Sequence, residues 1–361
     1  MPRVVGIDPG TVSIDLCGLD DDRLFLDRSL PTATALADPA GLIGLLEQAR
    51  PLDLVAGPSG YGLPLTRVQE ATEEDLRLAF LAVPGAAGGI GGLGGLVRAF
   101  ARSTLPVVLT PGVVHLPTVP AHRKVNRVDM GTADKVCAAA LAIDRAARRL
   151  ERPPAEISLV LLELGGAFTA GVAVARGRIV DGVGGSSGPL GFRAAGALDG
   201  EVASLAGTVS KELVFGGGAA AIAGWDPATT APDRLARPAT PRERVAWDAF
   251  LEGVVKTATV LALAVPAAPE FVLSGRLARV EAVRHAVSER LGPWGPTRVL
   301  EGFAAVAKEG AQGAALVADG LAAGQHRELV ETLALRDARG TVLDHLYVVS
   351  PAQARHRLGL S

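Results

Sequence analysis

Arg3-Val4-Val5-Gly6-Ile7-Asp8-Pro9-Gly10-Thr11-Val12-Ser13 decides how the rest of the chain is read. A β-branched run ends in a carboxylate, then Pro-Gly, then two hydroxyls. Alternation resumes over residues 14–19, and Asp20-Asp21-Asp22 turns the chain into Arg23-Leu24-Phe25-Leu26. The pattern predicts a β-hairpin pair with its first turn at residues 8–11. Gly10 admits a positive φ and the close approach of another group, and successive N–H groups in such a turn converge into an anion-binding nest. Asp8 beside that nest would repel a bare phosphate and suits one that carries Mg²⁺. An ordinary hairpin stabilised by its Asp and Thr has the same residues, so the other walls of a nucleotide site must decide.

At 361 residues the chain is too long for one ordinary core, and two domains are expected. Its 48% hydrophobic and 20% charged residues, with net charge −2, give a globular profile with no global bias toward nucleic acid or a membrane surface. Cys17 and Cys137 are too few for a disulfide framework or a Cys-rich zinc site, and reduced cytoplasm is the simplest home. The first residues read directly as a strand, without a signal-peptide pattern. The longest uncharged run, 78–97, has membrane-spanning length, but Pro84 and seven glycines within it favour a flexible loop or lid. Lysine is scarce beside arginine, which reads as coding bias.

Residues 38–50 have helical spacing (Leu42, Leu45, Leu46, Ala49) behind an Asp38-Pro39 start. A short strand over 52–56, a helix over 70–82, a glycine-rich loop over 88–95, a short helix through Phe100 and a strand over 105–110 follow. Residues 89–94 match Gly-x-Gly-x-x-Gly literally, but no clean strand feeds them and no acid follows where a ribose partner would sit. From Leu76 to Val128 there is no Asp or Glu, while Arg77, Arg98, Arg102, Arg123, Lys124 and Arg127 fall inside. This predicts an anion pocket or, more plainly, a solvated basic face. A polar, proline-stiffened loop over 110–130 holds His115, His122, Arg123, Arg127 and Asp129, and a helix runs from about Gly131 to Leu150.

Arg152-Pro153-Pro154 breaks the chain, and there the sequence restarts. A buried strand over 157–162 leads into Glu163-Leu164-Gly165-Gly166-Ala167-Phe168-Thr169, a return strand over 170–175, the turn Arg176-Gly177-Arg178 and a third strand. Strand, acid, small turn, strand, tight turn and strand thus occur twice, an internal duplication. Loops over 184–191 and 216–218 could line a cleft. A long helix over 242–265 precedes a strand over 270–273 and Ser274-Gly275-Arg276. A small-residue helix over 303–321, a tail hairpin over 333–349 and a last helix capped by Ser350-Pro351 complete the reading.

In this order the pieces resemble the superfamily of acetate and sugar kinases, heat-shock chaperone ATPases and actin. Residues 6–13 resemble its first phosphate motif, Asp134 with 138–142 its first connecting helix, and Glu163 to Thr169 its second phosphate motif. Residues 271–276 resemble the adenosine motif, and 306–315 the second connecting helix. More narrowly, 123–126 leading into 129–135 resembles a family labelled as predicted butyrate kinases. Glu163 stands where Asp is usual, Ala167 replaces a third glycine, and Ser274-Gly275 replaces paired glycines.

The resemblance implies an α/β chain of two ribonuclease-H-like lobes, an actin-like ATPase, closing on ATP and Mg²⁺ in an interdomain nucleotide cleft. The lobes are expected at 1–152 and 153–361, with the tail returning to the first. Asp8 and Glu163 would hold the metal, and Gly10, Thr11, Ser13, Gly165, Gly166, Phe168 and Thr169 the phosphates. Ser274, Gly275 and Arg276 would face the adenosine. Arg123 and Arg127 are candidates for an acceptor carboxylate or the moving phosphoryl group, His115 for its oxygens, and Asp134 for orienting acceptor or metal unless it only caps its helix. The expected activity is phosphoryl transfer to a small-molecule substrate, with short-chain carboxylates as the butyrate-kinase resemblance implies. No nucleic-acid or membrane partner is expected, and a homodimer is compatible. An ATP-gated switch and a resolvase-type nuclease are the alternatives.

Overall fold

The computed structural model describes residues 2–57, 59–83, 90–266 and 269–360. The opening stretch folds as an antiparallel meander of β1 (Arg3–Pro9), β2 (Ser13–Asp20) and β3 (Arg23–Pro31). Asp21 turns β2 into β3 with φ 57°, the left-handed conformation that a tight hairpin favours. After α1 (Thr32–Ala37), α2 (Pro39–Gln48) starts where Asp38 accepts the Gly41 N–H at 3.0 Å and Pro39 takes the first helical position. β4 (Leu54–Gly57) joins β1 in parallel. β5 (Thr66–Arg67), α3 (Glu73–Phe80), α4 (Ile90–Ala101) and β6 (Val107–Leu109) complete a sheet ordered β3-β2-β1-β4-β6-β5. Thr72 and Asp75 form a reciprocal capping box at the start of α3.

The second half repeats this plan. After α5 (Ala121–Lys124) and α6 (Ala133–Leu150), an antiparallel meander forms from β7 (Leu159–Leu164), β8 (Thr169–Ala175) and β9 (Arg178–Val183). The helices α7 (Gly200–Ala206), α8 (Lys211–Gly216), α9 (Ala219–Ala223) and α10 (Pro241–Ala262) lead to β10 (Glu270–Ser274), α11 (Glu281–Leu291) and β11 (Thr297–Val299). The sheet order is β11-β10-β7-β8-β9. β10 joins β7 in parallel and β11 joins β10, as β4 joins β1 and β6 joins β4. Even the register shift recurs, between Gly18 and Leu19 on β2 and between Ala173 and Val174 on β8. The chain is therefore two ribonuclease-H-like units of the actin-like ATPase architecture.

α12 (Glu309–Leu321), α13 (Arg327–Thr332) and α14 (Pro351–Arg357) end the chain. α6 packs on β7 and β8, α12 packs on β1, β2 and β4, and the two helices cross. A Cβ at Gly313 would lie 1.8 Å from the Cys137 carbonyl oxygen, so a side chain there would force the helices apart. Val4, Cys17 and Ala56 thereby share one core with Ile143, Leu159 and Ala315, while two further cores gather around α10 and around α2 and α4. The C-terminal segment lies on the first sheet's side. Arg355 pairs with Glu74 at 2.8 Å, and Arg77 Nη1 donates to the Gly359 carbonyl at 2.7 Å. Lys211 on α8 reaches across to the end of α3, its Nζ donating to the Phe80 and Leu81 carbonyls at 3.2 and 3.1 Å. Among the described residues no helix is long and apolar enough to cross a membrane.

Three stretches differ from expectation. Of the predicted loop 88–95, Gly91 to Gly95 lie inside α4, where burial of Leu93, Leu96, Val97 and Phe100 offsets a glycine cost of about 1 kcal/mol each. Gly88 and Gly89, with the start of the Gly-x-Gly-x-x-Gly match, lie outside the described residues. The helix expected from residue 303 begins at Glu309, because the Ala305, Val306 and Ala307 N–H groups converge instead on the Asp27 carboxylate. The tail over 333–349 forms no hairpin. Val342 and Leu343 are buried in the shared core, and the Asn126 side chain accepts the Tyr347 and Val348 N–H groups.

Candidate active site

The duplicated strands β1 and β7 carry Asp8 and Glu163 near their ends. Asp8 is 7% exposed and faces Gly310 in the first turn of α12, where unpaired helix N–H groups favour a carboxylate. Lys308 precedes that helix. Its Nζ lies 2.5 Å from Ser13 Oγ and 3.1 Å from the Oδ2 of Asp15, a buried carboxylate paired in register with Asp8. The first turn is tight: the Gly10 N–H donates to the Asp8 carbonyl at 3.2 Å, and Thr32 Oγ1 donates to the Gly10 carbonyl at 2.7 Å. Thr11 and Val12 at its tip are exposed.

The second turn is closed by the Gly165 N–H, which donates to the Phe168 carbonyl at 2.9 Å. Phe168 packs edge-on against Phe215 with ring centres 5.1 Å apart. β10 brings Ser274 into register with Glu163. Gly275 then takes φ 85°, and a Cβ there would come 2.7 Å from the Leu164 carbonyl oxygen, so the strand ends stay close only with glycine. The Arg276 side chain passes beside Gly166. The hydroxyls of Thr169 and Ser274 are buried without a hydrogen-bond partner, which buried polar groups rarely are.

Between the turns stands the start of α6. The Lys135 ammonium bonds to the Asp134 carboxylate and lies 2.9 Å from Glu163 Oε1. The charges act on one another. Asp8 is pushed up to about 8, first by burial and then by Asp134 and Glu163, with Lys308 and Lys135 opposing. Burial also raises Glu163, with Lys135 opposing, whereas at Asp134 the Lys135 ammonium outweighs burial and holds the carboxyl below its usual range. Burial would lower Lys135, but Asp134, Glu163 and Asp8 outweigh it and raise the ammonium. Asp134 does not cap its helix: Thr132 holds the N-cap position, and its hydroxyl donates to Asp134.

The other predicted residues make contacts with β9 and with the loop after it, which packs on Phe168, or are buried. Arg123 Nη1 donates to the Val180 carbonyl at 2.8 Å and Nε lies 3.7 Å from Asp181, both on β9. Arg127 Nη1 donates to the Ser187 carbonyl at 3.2 Å. Asp129 is a strut, accepting from the Ser186 N–H and Oγ, each at 2.9 Å. His115 is buried with neither ring nitrogen in a well-formed hydrogen bond, and burial, opposed by the Gly112 backbone and aided by Lys124, pushes it down to about 4. The acid-free segment forms no single anion pocket: Arg77 binds tail carbonyls, Arg98 pairs with Glu73, and buried Lys124 donates to the Leu116 carbonyl.

Among the described residues no group of three or more His, Cys, Asp or Glu side chains is arranged to hold a metal. A Mg²⁺ ion carried on phosphates needs only one or two carboxylates. Asp8, a buried carboxylate that makes no direct ion pair among the described residues, fits that role, while Glu163 shares its charge with Lys135. Lys135 and Lys308 are the residues that sequence reasoning passed over. The signal was there: the chain has five lysines against 31 arginines, and two of the five stand at the two turns.

Solved structures share the fold. A propionate kinase from Francisella tularensis matches with TM-score 0.61 at 12% identity, over 87% of this chain and 98% of that one. Acetate kinase from Porphyromonas gingivalis matches with TM-score 0.58 at 14% identity (82% and 88%). Acetate kinase from Entamoeba histolytica matches with TM-score 0.56 at 11% identity (80% and 86%). No curated protein sequence matches the chain. The model of one family spans residues 6–348, and the chain belongs to it: Protein of unknown function (DUF1464).

Proposed function

We propose that the chain is an ATP-dependent phosphotransferase acting on a small acceptor, with short-chain carboxylates the first candidates. The observation that carries this reading is the meeting of two acid-glycine turns, from topologically equivalent strands, around Asp8, Asp134, Glu163 and two lysines. Phosphoryl transfer asks mainly for positioning and charge neutralisation, and such a site supplies both. The turns at Gly10 and at Gly165 to Phe168 would hold phosphate oxygens, and Ser274 to Arg276 would border the nucleoside. The orphan hydroxyls of Thr169 and Ser274 are donors awaiting an acceptor. Mg²⁺ held at Asp8 would neutralise phosphate charge.

The acceptor oxygen forms its bond to the γ-phosphorus as the bond to the bridging oxygen breaks, and ADP leaves with that electron pair. A carboxylate acceptor has no proton to lose. A hydroxyl acceptor must give one up, and a carboxylate of this buried cluster would take it.

Calorimetry with ADP and a non-hydrolysable ATP analogue, with Mg²⁺ present, tests the reading. Asp8→Asn should keep the fold and weaken metal-dependent binding. Absence of any nucleotide affinity in the unmodified protein would refute the proposal. A panel of short carboxylates and sugars with ATP then identifies the acceptor. Slow hydrolysis that no acceptor accelerates would favour an ATP-gated switch.

A further inference from the structure

Arginine covers this protein, and lysine is kept for particular places. Of the five lysines, Lys256 alone makes an ordinary surface pair, with Glu252 one turn earlier. Lys124 is buried on the Leu116 carbonyl, Lys211 spans the two halves, and Lys135 and Lys308 stand at the two acid-glycine turns. The two cations differ physically. A guanidinium is a planar fork, whereas an ammonium is compact, with three donors that can converge on a small space.

Lys135 is the most constrained of the five. It sits in the first turn of α6, an 18-residue helix, where the helix dipole disfavours a cation by about 0.3–1 kcal/mol. Its ammonium joins Asp134 on that helix to Glu163 on β7, so one side chain ties the first half's connecting helix to the second half's acid-glycine turn. The side chain keeps 13% of its surface exposed. Two of its three donors are taken by the carboxylates, and no further partner occurs among the described residues.

We propose that Lys135 is a catalytic residue whose ammonium, set by Asp134 and Glu163, binds the phosphoryl group as it passes from ATP to the acceptor. This rests on the phosphotransferase reading. The bond from the γ-phosphorus to the bridging oxygen breaks, ADP takes that electron pair, and the acceptor oxygen forms the new bond. Lys135 keeps all its protons and serves the charge on the three transferred oxygens. Asp134 and Glu163 are positioning residues for it, and Lys308 offers a second ammonium at the first turn. An arginine at 135 would place a broader, planar group between two carboxylates spaced for an ammonium.

The test compares parent, Lys135→Met, Lys135→Arg and Lys135→Cys before and after alkylation with 2-bromoethylamine, which rebuilds the amine with sulfur in place of one methylene. Cys17 and Cys137 are buried, with thiols that burial raises, and do not compete. Calorimetry with ADP and a non-hydrolysable ATP analogue needs no knowledge of the acceptor. The triphosphate-to-diphosphate affinity ratio should fall about tenfold in Lys135→Met, the size of one lost hydrogen bond to a charged group. ATP turnover should fall on the order of a hundredfold in Lys135→Met and Lys135→Arg. Alkylated Lys135→Cys should recover both.

If Lys135→Met destabilises the chain by leaving three carboxylates together, Lys135→Met with Glu163→Gln keeps the cluster's net charge and is compared with Glu163→Gln alone. An unchanged affinity ratio in Lys135→Met, or alkylation that restores stability but neither ratio nor turnover, overturns the proposal while nucleotide binding by the parent stands. Absence of nucleotide binding by the parent overturns both readings.

Discussion

Acidification should unmask His115. Its ring is buried, neither nitrogen makes a well-formed hydrogen bond, and the nearby Gly112 backbone only partly opposes the effect of burial. Burial pushes it from 6.5 down to about 4. A folded-state value below the ordinary one means that the folded chain binds fewer protons than the unfolded chain between those limits. The neutral ring therefore costs no ionic stability above pH 6.5, and stability is lost as pH falls toward 4. The shift of about 2.5 units corresponds to about 3.4 kcal/mol below pH 4, of which about 2 kcal/mol is already lost at pH 5. Urea denaturation of the parent and of His115→Leu at pH 7.5 and pH 5.0 isolates the effect, because every other titrating group is common to both. Lys124 and Asp344, the charged groups that act on the ring, remain in both proteins. The parent should lose about 2 kcal/mol more than the variant on acidification. At pH 7.5 the variant should be no less stable than the parent, since removing orphaned polar atoms from a core is neutral or favourable. Equal acid losses in the two proteins would refute this account of the buried ring.

Two further outcomes follow from the contacts between the halves. Gly313→Ala drives a methyl group into the Cys137 carbonyl and should cost on the order of 3 kcal/mol, the upper end of overpacking penalties; an unchanged melting temperature would show that the helices part freely. Lys211→Met should alter stability by less than about 1 kcal/mol, yet speed amide exchange at residues 78–83 and 211–216. Parental exchange rates would show that its two carbonyl bonds do not hold the halves together.

Much of the fold was legible because alternation, punctuation and duplication agree. The β1 turn, the Asp38-Pro39 helix start and the restart after Pro154 each name a local structure, and the two sheets share the order of five strands, to which the first sheet adds β5. The failures come from tertiary contacts that override local chemistry. Glycines 91–95 read as a loop but fold as a helix because Leu93, Leu96 and Phe100 find a core. Residues 303–308 have helical composition, but their N–H groups go to Asp27 and Gln312. Asp8 and Glu163 stood out because acids beside glycine turns are a local signal, and Asp134 through the resemblance of its helix to a connecting helix. Lys135 and Lys308 did not, since their meaning depends on where the chain omits lysine. The basic segment misled for the opposite reason: its cations share a stretch of sequence but find separate partners in space.

The distribution of lysine has a practical consequence. In most proteins an amine-directed reagent decorates the whole surface and reports little about any one site. Here Lys256, 74% exposed, is an internal reference for reagent access, and Lys135, Lys211 and Lys308 each bond across from one half of the sequence to the other. Peptide-resolved footprinting with such a reagent would therefore read the opening of the cleft directly, with no engineered label.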